Sequence, residues 1–147
     1  MRRKFVAGNW KMHGNFQQNS ALLENLKAHT KNLACEVVVC VPYPYLAQAQ
    51  SALVGSEIGL GAQNLSEHVA GAYTGEVSAA MLREFSCRYV LVGHSERRAL
   101  YGESDAVVAA KFAAAQASGM QPVLCVGESL AERQSGLTDE VVSRQLA

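Results

Sequence analysis

The stretch YVLVGHSERRALYGE, residues 89–103, decides how the chain folds. Its apolar run does not alternate, and it breaks off at Gly93, with His94, Ser95, Glu96, Arg97 and Arg98 following at once. Continuous hydrophobicity belongs to a strand covered on both faces, the habit of parallel sheets. A strand turning back into solvent calls for Gly, Asn or Asp, not a histidine and a glutamate at the mouth of a buried segment. The stretch therefore reads as the carboxyl end of a parallel strand, where function gathers in α/β architectures.

Runs of the same kind recur on either side: KFVAGNW (4–10), EVVVCVP (36–42), EIGLGAQ (57–63) and PVLCVGE (122–128). Helical patterns separate them. Residues 16–33 place Leu22, Leu26 and Leu33 on one stripe with Leu23 beside it, and Pro44 opens a second helix that Gly55 ends. Ser78 caps a third, carrying Met81, Leu82 and Phe85; Ser104 and Asp105 open a fourth, with Val107, Val108, Lys111, Phe112 and Ala115 following and Gly119 at its end. SLAE (129–132) is a capping-box pattern, and TDE (138–140) puts acids into the first turn of a further helix. Strands thus begin about every 30 residues with helices between them, which argues for parallel pairing through right-handed crossovers. The turn after the first strand, GNWKMHG, has neither a G-x-G-x-x-G nor a Walker pattern, so a closed (β/α)8 barrel is favoured over an open nucleotide-binding sheet. A barrel needs eight strands and about 250 residues. The expectation is therefore a single domain over 1–147 that forms the N-terminal portion of a barrel: strands 1–5, helices 1–4 and the start of helix 5.

Composition excludes several classes of function. Thirteen basic and 13 acidic residues cancel, which leaves no electrostatic footprint for nucleic acid or an anionic membrane. No apolar run is long enough to span a bilayer, and the charged start has no apolar region behind it, so a cytoplasmic location is expected. Cys35, Cys40, Cys87 and Cys125 lack metal-site spacing and read as reduced, structural thiols. His13, His29 and His68 have no partners at metal spacing and read as surface residues; no metal is expected.

The predicted strand ends supply Asn9 and Lys11, Gln63 and Asn64, His94 and Glu96, and Glu128. Amide, lysine, histidine and carboxylate on one rim suit anionic small molecules and proton-transfer chemistry. If Ser95 caps a short helical turn, the positive end of that turn favours an uncharged His94 ring, which can donate a hydrogen bond and polarise a carbonyl. Lys11 supplies positive charge where an oxyanion or phosphate develops, and Glu96 orients or neutralises it. Arg98 reads as part of a solvated charge run. GHSER nearly matches a hydrolase nucleophile elbow, but Arg97 stands where that turn needs glycine.

GNWKMHG, GAQN, GAYTGEVS, VGHSERR and PVLCVGES resemble, in order and from end to end of the chain, the signature blocks of the triosephosphate isomerase family. The resemblance implies a TIM barrel and an aldose–ketose isomerase that interconverts dihydroxyacetone phosphate and glyceraldehyde 3-phosphate through an enediolate, with no cofactor. Matched residue by residue, Asn9 and Lys11 bind substrate, His94 is the electrophile, Ser95 and Glu96 support it, and Cys125 packs beneath the site. The segment 64–78 resembles a loop that inserts into a partner subunit. On that basis Thr74 reaches the partner's Asn9, and Glu76 pairs with the partner's Arg97, which implies a homodimer. The family's general-base glutamate, its lid and its phosphate-binding loops have no matching block here, and Glu128 matches a position that is not the base. The alternative expectation is a non-catalytic barrel fragment.

Overall fold

Five strands pair in the order in which they occur. The computed structural model describes residues 4–147, with strands β1 (Lys4–Asn9), β2 (Cys35–Val41), β3 (Gly59–Ala62), β4 (Tyr89–Val92) and β5 (Gln121–Leu124). All four pairings are parallel, with Asn9 opposite Cys40, Cys40 opposite Gly61, Gly61 opposite Tyr89 and Tyr89 opposite Gln121. Helix α1 (Phe16–His29) links β1 to β2, a 3-10 turn (Tyr43–Tyr45) and α2 (Leu46–Ala52) link β2 to β3, and α3 (Ala79–Glu84) precedes β4. After β4 come α4 (Ser95–Tyr101) and α5 (Asp105–Ala117); after β5 come α6 (Leu130–Gln134) and α7 (Thr138–Leu146). Strand order never reverses, as it would at the switch point of a doubly wound sheet. The expected βα alternation is present, and the sheet is a half-barrel.

The two faces of the sheet are packed differently, which is the barrel's signature. On the outer face Val39, Val41, Leu60, Ala62, Val90 and Val92 share one buried cluster with Leu23, Leu46, Leu82, Val108 and Ala115 from the helices. The inner face buries only strand residues, Val38, Cys40, Tyr89 and Leu91, with Val123 against them. Trp10 packs on the outer cluster, the face opposite to Asn9, as strand alternation requires. All four cysteines are free. Burial pushes the Cys40 and Cys87 thiols up to about 12, so both act as inert core residues.

Helix starts follow from local chemistry. Ser78 accepts from the Met81 N–H, Ser104 from the Val107 N–H, and Ser129 forms a reciprocal capping box with Glu132; each such cap contributes about 1 kcal/mol. One helix face differs from expectation. In α1 the buried positions are Asn19 and Leu23, with Leu26 partly buried, whereas Leu22 and Leu33 are exposed. The helix already ends at Thr30, so Leu33 lies outside it. Contact with α2, through Asn19 Nδ2 donating to Gln48 Oε1, sets the phase of the remainder.

The inner face depends on two bare positions. A Cβ on Gly61 would lie 2.8 Å from Cys40 Sγ and 3.3 Å from the Tyr89 carbonyl oxygen, and one on Gly59 would lie 3.1 Å from the Tyr89 ring. The tyrosine thus occupies space that the two glycines leave empty. Gly61→Ala is expected to destabilise the fold by about 1–3 kcal/mol through overpacking. Chemical unfolding measures this directly, and an unchanged midpoint would contradict the packing argument.

Candidate active site

Parallel strands put all their carboxyl ends on one rim, and there a cleft of about 410 Å3 is lined by Asn9, Lys11, Gln63, His94, Glu96 and Arg97, among others. Asn9 is the last residue of β1. Its Oδ1 accepts from the Lys11 N–H at 2.9 Å, which holds Lys11 in a left-handed backbone conformation, φ 53°. Gln63, just past β3, donates to the Lys11 carbonyl at 2.9 Å and to the Cys40 carbonyl at 3.0 Å. The backbone at Lys11 is therefore gripped on both sides while its side chain stays free to reach across the cleft. Its Nζ meets Glu96 Oε1 at 2.6 Å, with both side chains about half exposed. The hydrogen bond from Lys11, together with its charge, holds the Glu96 carboxyl below the usual carboxylate range.

His94 has a different local role from the one its sequence suggests. Ser95 is already the first helical residue of α4, and it is exposed. His94 itself is the N-cap: its backbone is non-helical, with φ −54° and ψ 140°, and its Nδ1 accepts from the Glu96 N–H at 3.2 Å. A ring nitrogen that accepts carries no proton, so the proton of this uncharged tautomer sits on Nε2 and is available for donation. The cap interaction thus fixes which ring nitrogen carries the proton.

Two further corrections concern charged residues. Arg98 is not solvated; only 15% of its side chain is exposed, with Nε donating to the Gly93 carbonyl at 2.8 Å and Nη1 to Asp105 Oδ1 at 2.5 Å. Arg97 donates through Nε to Glu103 Oε1 at 2.6 Å and lies over the Tyr101 ring. Glu128 stays apart from the cleft, accepting from Thr138 Oγ1 and pairing with Arg133. Thr74 and Glu76 sit on the exposed part, 68–76, of the segment 64–78, whose buried base is pinned by the Ser66 N–H donating to the Val77 carbonyl. Cys125 follows β5 and is partly buried; His13, His29 and His68 are exposed.

A buried polar network that sequence reasoning missed supports the rim. Lys111, on the buried stripe of α5, donates to Glu103 Oε1 and, at 2.8 Å, to Asn64 Oδ1, while the Tyr43 hydroxyl donates to the Asn64 carbonyl. A single lysine at the Val108–Ala115 spacing was the available signal, since a charge on a core stripe needs a buried partner. Burial raises the Glu103 pKa, but hydrogen bonds from Lys111 and Arg97 outweigh it and leave the carboxyl below its ordinary range. Among the described residues no group of three or more His, Cys, Asp and Glu is placed to hold a metal, and no helix is long and apolar enough to cross a membrane.

A half-barrel with a cationic, hydrogen-bonding rim at the carboxyl ends of its strands belongs to the (β/α)8 class. The family model of triosephosphate isomerase matches residues 4–147, and the chain belongs to that family. It is 68% identical over 147 residues to a triosephosphate isomerase of Dechloromonas aromatica, covering 100% of this chain and 59% of the relative. It is 66% identical over 146 residues to one from Thiobacillus denitrificans, covering 99% of this chain and 58% of the relative. A Herminiimonas arsenicoxydans relative of the same name is 60% identical over 146 residues. The chain thus spans less than two thirds of the length of these relatives.

Because the pKa of Glu103 is depressed in the fold, its stabilising contribution is full above the ordinary carboxylate range and is lost as pH falls through the depressed value. Glu103→Gln is therefore expected to be less stable than the parent at pH 7, with the gap narrowing below about pH 4. Guanidinium unfolding at several pH values reads this out, and a gap independent of pH would contradict the linkage.

Proposed function

We propose that the protein carrying this chain interconverts dihydroxyacetone phosphate and glyceraldehyde 3-phosphate, and that this chain supplies the electrophilic half of the site. The observation that carries the reading is the pairing of an Nε2–H donor on His94 with the Lys11 ammonium at one rim. As a proton leaves the carbon next to the substrate carbonyl, negative charge builds on the carbonyl oxygen. His94 donates to that oxygen and stabilises the enediolate, an interaction that strengthens towards the transition state. Lys11 and Asn9 bind the substrate, with the ammonium balancing phosphate and developing charge, while Glu96 aligns Lys11 and, through its N–H, fixes the His94 tautomer. Ser95 and Glu96 are support; the general base is a glutamate outside residues 1–147. The chemistry uses no metal or organic cofactor.

The protein acts as a homodimer in which segment 64–78 enters the partner, Thr74 approaching the partner's Asn9 and Glu76 the partner's Arg97. The exposure of residues 68–76 supports this, since a segment so placed has most to gain from a second surface. Four free thiols suit the reducing cytoplasm.

In the protein expressed from its complete gene, His94→Gln is expected to lower kcat on the order of 100-fold or more with a much smaller change in KM. A coupled isomerase assay decides it, and a loss confined to KM would reject the electrophile role. Lys11→Met is expected to weaken inhibition by phosphate-bearing substrate analogues by at least about tenfold. Unaltered inhibition constants would remove Lys11 from the binding site.

A further inference from the structure

Arg98 is a largely buried cation that the proposed chemistry leaves unused, and its guanidinium bridges the Gly93 carbonyl and the Asp105 carboxylate. Nε donates to the carbonyl of Gly93, the residue immediately before His94, at 2.8 Å. Nη1 is held by Asp105 Oδ1 at 2.5 Å, and the other oxygen of that carboxylate accepts from Arg144 Nε of α7 at 3.0 Å. Nη2 is buried without a hydrogen-bond partner among the described residues. Gly93 is left-handed, φ 72°, and a Cβ there would come within 2.9 Å of Arg98 Nη2 and 2.8 Å of Val108 Cγ1. The guanidinium thus lies directly against the backbone that launches His94 into the cleft, and α5 closes the other side.

We propose that Arg98 is a positioning residue for His94: by gripping the Gly93 carbonyl it fixes the plane of the 93–94 peptide and with it the direction in which the imidazole points. Asp105, steadied by Arg144, aims the guanidinium. The planar fork matters as well as the charge, because Nε and Nη1 engage two acceptors at a fixed angle, which an ammonium cannot do. Misplacing a catalytic group by about 1 Å costs on the order of 100-fold in rate, so the clamp acts on turnover and not on substrate affinity. This rests on the role proposed above for His94.

The test compares Arg98→Lys with the parent, both expressed from the complete gene, by steady-state kinetics, by unfolding and by 15N spectra of the His94 imidazole. The expected result is a fall in kcat on the order of tenfold, a KM changed by less than about threefold, and shifted or broadened His94 ring resonances. In a His94→Gln background the same substitution is expected to lower kcat no further. Equal losses in both backgrounds, or ring resonances that do not move, would overturn the inference and leave Arg98 a purely structural anchor. Should Arg98→Lys not fold, Asp105→Asn is expected to give the same pattern in weaker form, and unchanged kcat and spectra there would be equally fatal. A parent protein inactive on triose phosphates would reject the proposed function, while the imidazole spectra would still judge whether Arg98 sets the ring.

Discussion

Lys11 and Glu96 are 85 residues apart in sequence and 2.6 Å apart in space. Nothing local draws them together. They meet because β1 and β4 run in the same direction within one sheet, so that the residues following each strand emerge on the same rim. Parallel pairing is costly to assemble, since each strand must wait for a crossover helix before it finds its neighbour. In return, side chains from distant parts of the chain arrive at one place without any of the connecting segments having to be shaped for it. Every contact in the cleft inherits its geometry from that register.

The amount of this that could be read from the sequence followed the range of the interactions involved. The strands stood out because burial on both faces leaves continuous apolar runs such as VVVCV and YVLV. Helix starts at Ser78, Ser104 and Ser129 were legible because a cap is a contact between residues three apart. The cap of α4 was not, for histidine fills that role only in the tautomer whose Nδ1 accepts, and no spacing rule encodes a tautomer. Leu22 and Leu23 are neighbours that point about 100° apart on a helix, and only the packing of α1 on α2 selects between them. Arg98 was misread for the same reason: its partners Gly93 and Asp105 close around it only once β4 and α5 are in place.

The polar core follows a related logic. Lys111 and Glu103 are both less than a tenth exposed, and removing the carboxylate from such a buried pair costs about 3–5 kcal/mol because it strands the ammonium. A hydrophobic pair of similar volume would hold α5 against the sheet at least as firmly. What it would not do is dictate orientation: Lys111 must meet Asn64 and Glu103 together, and Glu103 must also receive Arg97, which limits how α4, α5 and the end of β3 can be arranged.

The backbone twist at residue 11 carries an implication for how such a chain drifts over generations. A lysine with φ 53° sits where L side chains are disfavoured by roughly 1–3 kcal/mol, a penalty glycine would escape. Selection for robustness alone would therefore erode the lysine. A lineage in which the cleft is no longer used should lose this lysine early while keeping the surrounding barrel intact.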